Sequence, residues 1–286
     1  MSKVFLVGAG PGDPQLLTVK AYRLLERADV VLHDDLVSSE ILELVCPEAV
    51  VMNVGKRCGK RLVTQKLIHA LLIWFAASAE TVVRLKGGDP LLFGRAAEEM
   101  EALAGAGVDY EVVPGVTAAV AAAAAAGISL TDRRSCSHVV FTTAQHAASR
   151  GGTGKEEPEW LGARDRRGME RDWQGLARGD TTMAVYMPGK DYATLARDLT
   201  SAGFSGEIPC MLISRIGGKD QHVHRSSLNR LADCPPLAPP TLLLVGKTLG
   251  QKAMAASIWS PPPIEESIAD LGGFGQTALY IVSGQD

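Results

Sequence analysis

Short apolar runs alternate with helix-like segments through the first half of the chain. Runs typical of buried strands lie at residues 4–7, 30–33, 50–54, 81–85 and 110–113. Helical patterns lie at residues 18–27, 39–45, 64–77, 96–104 and 118–126. Because strands and helices that alternate through short connections build a sheet covered by helices, the sequence predicts an α/β fold with a largely parallel sheet.

The second half of the chain has a different pattern of predicted elements. Further strands are expected at residues 138–143, 182–187, 210–215 and 241–245, a helix at 192–202, and a hairpin around 222–224. We place a domain boundary between residues 114 and 130 and predict an N-terminal α/β domain over 1–115 and a C-terminal one over 116–260. The polar, glycine-rich residues 147–172 predict a flexible insertion, and residues 261–286 a tail.

Composition excludes several classes of function. The net charge is −3 and 46% of residues are apolar, so we expect a globular protein with no nucleic-acid partner. No apolar stretch is long enough to cross a bilayer, and no targeting segment is expected. Five scattered cysteines without a C-x-x-C pattern indicate a cytoplasmic protein with neither disulfides nor a zinc site. We expect no metal, since His222 and His224 lack a third ligand.

Three glycine- and proline-containing loops follow predicted strands. They are GPGD at residues 10–13, GGDP at 87–90 and PGVT at 114–117. In a parallel sheet these loops share the carboxyl edge, where ligands bind. We expect a cleft walled mostly by backbone, which suits a nucleoside-like ligand. Each loop taken alone is also explained as a tight turn that needs positive φ.

The first loop is close to a dinucleotide-binding fingerprint but does not match it. Gly8 and Gly10 fit the pattern G-x-G-x-x-G, whereas Asp13 stands where the third glycine is required. Pro11 also removes a backbone N–H that a pyrophosphate would use. A nicotinamide-dependent oxidoreductase is therefore a disfavoured alternative.

Taken together, these motifs resemble those of the tetrapyrrole methylases, which transfer methyl groups from S-adenosylmethionine. The resemblance rests on VGAGPGD at residues 7–13, VRLKGGDP at 83–90 with FGR at 93–95, and VVPGVTA at 112–118. Within the family, VGKR at 54–57 and the downstream Gln65 are most similar to the uroporphyrinogen-III C-methyltransferases. The resemblance extends over about residues 3–260, apart from the insertion.

The resemblance implies two α/β domains with the cofactor cleft between them, in a homodimer. The implied cofactor is S-adenosyl-L-methionine, which leaves as S-adenosyl-L-homocysteine. The residues that match the family's cofactor contacts are Pro11, Gly87, Gly88, Asp89, Leu92, Thr117, Ala118, Met187 and, through its backbone, Ile216. Without the resemblance, Leu92, Met187 and Ile216 would be interpreted as core residues.

The resemblance also implies catalytic and substrate-binding residues. Asp34 matches the family's proton acceptor and Lys56 its proton donor, roles that suit a reaction in which a methylated ring system must lose a proton. The arginines expected to pair with the carboxylates of a tetrapyrrole are Arg57, Arg61, Arg95 and Arg133. Asp34 has a second interpretation, as the acidic residue that holds a ribose at the end of the second strand.

The expected reaction is the double C-methylation of uroporphyrinogen III to precorrin-2, on the route to sirohaem or cobalamin. The sequence departs from the family pattern along the expected substrate cleft, with Asp35 in place of arginine, Arg61 in place of histidine and Asp132 in place of histidine. A methylase of the same fold that acts on a later corrin intermediate, on a protein or on ribosomal RNA is the alternative. A nucleotide-binding regulatory module without catalysis is another.

Overall fold

Two five-stranded sheets organise the part of the chain that the structure describes. The structure is a computed structural model, and it describes residues 2–57, 60, 61, 63–144 and 179–250, with the backbone alone at residues 56, 57, 60 and 61. The predicted insertion at 147–172 and the predicted tail at 261–286 lie outside the described residues.

The first sheet is parallel throughout, as predicted for the first half of the chain. Its strands are β1 (Lys3–Gly8), β2 (Val30–His33), β3 (Val50–Asn53), β6 (Thr81–Lys86) and β7 (Tyr110–Val113), in the order β3-β2-β6-β1-β7. A short antiparallel hairpin, β4 (Lys56–Arg57) with β5 (Lys60–Arg61), follows β3 and was not expected from the sequence. The central strands β1 and β6 are buried almost end to end because helices cover both faces.

Helices cover the first sheet on both sides. They are α1 (Val19–Leu25), α2 (Ser39–Leu42), α3 (Gln65–Ala76) and α4 (Ala96–Gly105). Threonine caps begin two of them: Thr18 accepts the N–H of Ala21 at 3.1 Å, and Thr64 accepts that of Leu67 at 3.2 Å. Side chains of α1 and α2 fill the core on one face, and those of α3 and α4 fill it on the other.

One predicted helix is shorter than expected. The sequence predicts a helix over residues 39–45, but α2 ends at Leu42 and the chain continues in tighter turns. The N–H of Cys46 instead donates to the carbonyl of Leu25 at 2.9 Å. Beyond Leu42 the backbone bonds run from residue i+3 to residue i, as from the N–H of Val45 to the carbonyl of Leu42 at 3.2 Å. Pro47 restricts only Cys46, so it does not account for the end at Leu42.

The second sheet is mixed. Its strands are β8 (His138–Thr143), β9 (Thr181–Tyr186), β10 (Pro209–Ser214), β11 (His222–Ser227) and β12 (Thr241–Val245), in the order β11-β10-β12-β9-β8. Only β8 and β9 are parallel among these described strands, and the other pairs are antiparallel. The expected hairpin around residues 222–224 is present as β10 with β11. Helix α6 (Tyr192–Ser201) covers one face.

Helix α5 (Ala118–Ala125) connects the two sheets. It follows the last strand of the first sheet, and its buried alanines Ala119 and Ala122 pack on Met211 and Leu244 in the second. Both sheets therefore lie in one compact unit, Met1–Gln251. The domain boundary at residue 115 remains a prediction. No helix among the described residues is long and apolar enough to cross a membrane.

Candidate active site

The three glycine-containing loops meet at one edge of the first sheet. They follow β6, β1 and β7, which are neighbouring strands, so their carboxyl ends lie side by side. Gly10 and Gly88 pair through their backbones, with N···O distances of 3.1 and 2.7 Å. This pairing confirms the predicted convergence for the loops after β1 and β6.

The glycines in these loops have two distinct roles. A Cβ on Gly8 would lie 2.6 Å from Cα of Gly115 and 2.7 Å from the carbonyl oxygen of Gly88, so these loops are in backbone contact. Gly88 itself adopts a φ of +69°, and a Cβ there would meet nothing within 4 Å. Close packing of the loops explains why positions 8 and 115 are glycine. The backbone at Gly88, by contrast, faces open space that a ligand can enter.

Asp89 holds two of these loops together. Its Oδ2 accepts the N–H of Gly115 at 3.0 Å, and its Oδ1 accepts the N–H of Leu91 at 2.9 Å. Each carboxylate oxygen can accept more than one hydrogen bond, so this structural role leaves room for a ligand hydroxyl. The sequence predicted the ligand role and missed the structural one.

A loop from the second sheet faces the first glycine loop. A Cβ on Gly217, which has a φ of +78°, would lie 3.1 Å from Cγ of Pro11 and 3.2 Å from the N atom of Asp13. The side chain of Ile216 is buried in the core of the second sheet. The predicted contact of Ile216 with the cofactor through its backbone stays a prediction.

Tyr186, at the end of β9, contacts the predicted cofactor residue Thr117 and precedes Met187. Its hydroxyl lies 2.6 Å from Oγ1 of Thr117 and accepts the N–H of Ala119 at 3.1 Å. Its ring lies 5.0 Å from the ring of Phe93, in the loop after β6. Burial raises the pKa of Tyr186, so the hydroxyl stays protonated. Met187 follows with a φ of +50° and is 38% exposed.

Asp34 lies at the same carboxyl edge, one strand further along. It follows β2, which neighbours β6, and its N–H donates to the carbonyl of Leu85 at 3.2 Å. Its Oδ1 is paired with the guanidinium of Arg84, and its side chain remains 27% exposed. Asp34 is thus a carboxylate held on one side and accessible on the other, beside the loop cluster.

Lys56, Arg57 and Arg61 lie on the β4–β5 hairpin. In its register Lys56 stands opposite Arg61. Their side chains lie outside the described part of the chain, so their predicted roles as proton donor and substrate ligands stay predictions.

The other two predicted substrate arginines differ in their surroundings. Arg95 is paired in two places with Glu98, at 2.6 Å through Nε and 2.5 Å through Nη2, and the hydrogen bonds to Glu98 raise its pKa despite partial burial. Part of its hydrogen-bonding capacity is therefore already used within the protein. Arg133 is exposed in the turn between Asp132 and Cys136.

A scan against family models matches residues 3–232 to the Tetrapyrrole (Corrin/Porphyrin) Methylases. The chain belongs to this family. Siroheme synthase 1 of Yersinia pseudotuberculosis is 40% identical over 270 residues, which are 94% of this chain and 53% of that protein. This methylase thus spans about half the length of the curated relatives that it matches.

Solved structures agree with this assignment to the methylases. A uroporphyrin-III C-methyltransferase from Thermus thermophilus, complexed with S-adenosyl homocysteine, is 34% identical, with a TM-score of 0.69 over 87% of this chain and 93% of its own. A cobalt precorrin-4 methyltransferase is 29% identical, with a TM-score of 0.69 over 86% and 95%.

Two departures of this methylase from the family pattern have local structural partners. Asp35 accepts Nδ2 of Asn53 at 2.8 Å, and Oδ1 of Asn53 accepts the N–H of Gly55 at 2.8 Å. This chain of hydrogen bonds fixes the start of the β4–β5 hairpin. Asp132 is bonded to Arg134 at 2.7 Å and closes the turn that presents Arg133.

Three buried charged residues of this methylase were not predicted from the sequence. Arg84 and Lys86 of β6 are 3% and 2% exposed, and both pair with Glu99 of α4, which is fully buried. Two cations at positions i and i+2 point to the same face of a strand. Because this strand is predicted to be buried, two cations on one face indicate that a neighbouring element must supply a carboxylate.

Among the described residues, no group of three or more His, Cys, Asp or Glu side chains could hold a metal ion. The described cysteines are Cys46, Cys136, Cys210 and Cys234, and all of them are free.

Proposed function

We propose that this chain is an S-adenosylmethionine-dependent methyltransferase that converts uroporphyrinogen III to precorrin-2 by two successive C-methylations. The observation that carries the proposal is the placement of Asp34 beside the converged loops after β1, β6 and β7, in a fold shared with a uroporphyrin-III C-methyltransferase. Its product would feed sirohaem or cobalamin synthesis.

The cleft residues suit S-adenosylmethionine. The backbone at Gly88 faces open space, and Asp89 keeps acceptor capacity for ribose hydroxyls. Met187 and the half-buried Leu92 offer polarisable and apolar surface for an adenine ring. The full set assigned to the cofactor is Pro11, Gly87, Gly88, Asp89, Leu92, Thr117, Ala118, Met187 and the backbone of Ile216. When bound, the cofactor supplies an electrophilic methyl group on a sulfonium centre.

Asp34 accepts the proton in this proposal. When a ring carbon gains a methyl group from the sulfonium, the conjugated system becomes positively charged. A proton must then leave to restore neutrality. Because Oδ1 of Asp34 faces Arg84, we assign the proton to Oδ2. Each turnover thus replaces one hydrogen of the substrate with a methyl group.

The remaining roles follow the family resemblance. Lys56 is the proton donor. The arginines Arg57, Arg61, Arg95 and Arg133 bind substrate carboxylates, for which a guanidinium fork is well suited. For Arg95 this requires that the substrate share the guanidinium with Glu98.

A later corrin intermediate is the alternative substrate. The likeness to a cobalt precorrin-4 methyltransferase supports it, since its TM-score equals that of the Thermus thermophilus enzyme. Asp35 and Asp132 support it as well, because both depart from the family pattern along the expected substrate cleft.

We further propose a homodimer in the cytoplasm. The family resemblance supports the dimer, and the free cysteines among the described residues agree with a reducing compartment. Light scattering on the purified chain would test the first part: twice the mass of one chain is expected, and a monomer at all concentrations would contradict it.

The function is tested by incubating the chain with uroporphyrinogen III and S-adenosylmethionine under reducing conditions. The expected product carries two methyl groups in place of two hydrogens. An unchanged mass, together with tight binding of S-adenosylhomocysteine, would support the proposed cofactor and contradict the proposed substrate. Binding of NAD instead of S-adenosylhomocysteine would overturn both.

A further inference from the structure

A network of four charges runs from the interior of the protein to Asp34. Glu99 of α4 accepts Nε of Arg84 at 3.0 Å through Oε1 and Nζ of Lys86 at 2.9 Å through Oε2. Arg84 in turn pairs with Asp34 through Nη2. Two cations and two carboxylates balance, and Asp34 is the member that reaches the surface.

The guanidinium of Arg84 is fixed on every side. Nη1 donates to the carbonyl oxygens of Leu32 and Leu85, both at 3.2 Å, while Nε donates to Glu99 and Nη2 to Asp34. Because a guanidinium is planar, the acceptor at Nε sets the direction in which Nη2 points. Glu99 therefore controls where Arg84 presents its last donor, and so where the Asp34 carboxylate rests.

Glu99 is itself held from several directions. Lys86 from β6 fixes one oxygen, and Nε2 of Gln65 on α3 lies 3.4 Å from the other. Gln65 also contacts His69, at 3.1 Å. Burial lowers the pKa of Lys86 and the charge of Arg84 lowers it further, so the negative charge of Glu99 is what allows two cations to share this interior.

We infer that Glu99 is a positioning residue for the proton acceptor Asp34 and acts through Arg84. The inference rests on the proposed function, because it takes Asp34 to be the group that receives the substrate proton. Glu99 contacts neither cleft nor solvent, since it is fully buried. It orients the base through the guanidinium of Arg84, and its contacts tie the packing of α3 and α4 to the geometry of the reaction.

A pair of double variants separates positioning from charge and from folding. Lys86→Met/Glu99→Leu removes the acceptor at Nε of Arg84 but leaves one buried cation with one carboxylate. Lys86→Met/Glu99→Gln has the same charges and keeps an oxygen at that place. Replacing a buried ion pair with apolar groups of similar volume is compatible with folding, whereas removing one partner leaves an unpaired charge. Glu101→Leu, on an exposed part of α4, is the control for the loss of a glutamate.

With uroporphyrinogen III as substrate, we expect Lys86→Met/Glu99→Leu to lose about one to two orders of magnitude in kcat, a part of what a general base supplies. KM for uroporphyrinogen III and Kd for S-adenosylhomocysteine should be unchanged. Lys86→Met/Glu99→Gln should recover most of the lost kcat, and Glu101→Leu should behave as the natural chain.

Equal kcat in the two double variants would overturn the inference. So would a loss of kcat that is matched by losses in cofactor and substrate binding, because that is the signature of a purely structural role. If the leucine variant does not fold, Arg84→Lys replaces it, since a lysine cannot hold Asp34 and Glu99 in one plane. Full turnover by Arg84→Lys would then overturn the inference. If the natural chain makes no methylated product, the proposed function fails before this comparison begins.

Discussion

Asp89 and Gly115 are joined by a hydrogen bond of 3.0 Å, from the backbone N–H of Gly115 to Oδ2 of Asp89. The carboxylate that the sequence marks as a cofactor ligand therefore also ties the loop after β6 to the loop after β7. Binding and loop geometry should change together when this residue is altered.

Asp89→Asn tests this double role. An asparagine keeps one acceptor oxygen but puts an NH₂ group at the other position, so one of the two backbone N–H bonds is lost. We expect a loss of about 1–2 kcal/mol in the free energy of unfolding and weaker binding of S-adenosylhomocysteine. Urea unfolding and calorimetry measure the two effects, with the exposed Asp109→Asn as control. Weaker binding at unchanged stability would show that Asp89 is a ligand alone.

Gly115→Ala should separate the loops. A Cβ at this position would lie 2.8 Å from Cα of Gly8, which is too close for two carbon atoms in packed backbone. We expect a large loss of affinity for S-adenosylhomocysteine. Gly105→Ala is the matched control, because a Cβ at the end of α4 meets nothing within 4 Å and alanine favours a helix. Equal affinity in both variants would contradict the view that the loops form the site.

Asp34→Ala distinguishes a proton acceptor from a ribose ligand. The carboxylate lies beside the loop cluster and is partly exposed, so its removal should leave binding of S-adenosylhomocysteine intact. We expect kcat for methyl transfer to fall by about 10²–10⁴-fold. The test is calorimetry together with a rate measurement on the same preparation. A variant that no longer binds S-adenosylhomocysteine would assign Asp34 to the cofactor instead.

Cys210 predicts how stability depends on alkaline pH. Burial, with a contribution from Cys234, raises the pKa of this thiol from its ordinary value of 9.0 to about 12. The folded state therefore holds a proton that the unfolded chain releases. The contribution to stability is fully present below pH 9 and is lost as pH rises towards 12. Relative to Cys210→Ala, the natural chain should lose up to about 1.4 kcal/mol per pH unit in that window. Parallel curves of unfolding free energy against pH would contradict this.

Local patterns were enough to predict most of the elements. The bounds expected for β2, β7, β8 and β12 are those observed. Three of these strands are followed directly by a polar or turn-forming residue, namely Asp34, Pro114 and Gly246. The end of α2 at Leu42 was not within reach of the sequence, because Pro47 restricts only Cys46. The order and direction of strands in the second sheet were not within reach either, because pairings such as that of β12 with β9 depend on contacts between distant segments.

The candidate site was likewise predictable from the sequence only in part. The convergence of the loops at residues 10, 88 and 115 followed from the predicted parallel sheet, in which loops after strands share the carboxyl edge. The hydrogen bonds of Tyr186 and the burial of Glu99 did not follow, since both depend on how the helices pack against the sheets. Both residues act by holding other groups in place, and sequence motifs point mainly to residues that touch ligands.

Methyl transfer to carbon is measured by mass spectrometry of the tetrapyrrole after reaction with a methyl donor whose transferred methyl group is deuterated. We expect uroporphyrinogen III to gain two labelled methyl groups in place of two hydrogens, and both to survive ester hydrolysis because they are bound to carbon. A tetrapyrrole of unchanged mass, or a label that hydrolysis removes, would contradict this expectation.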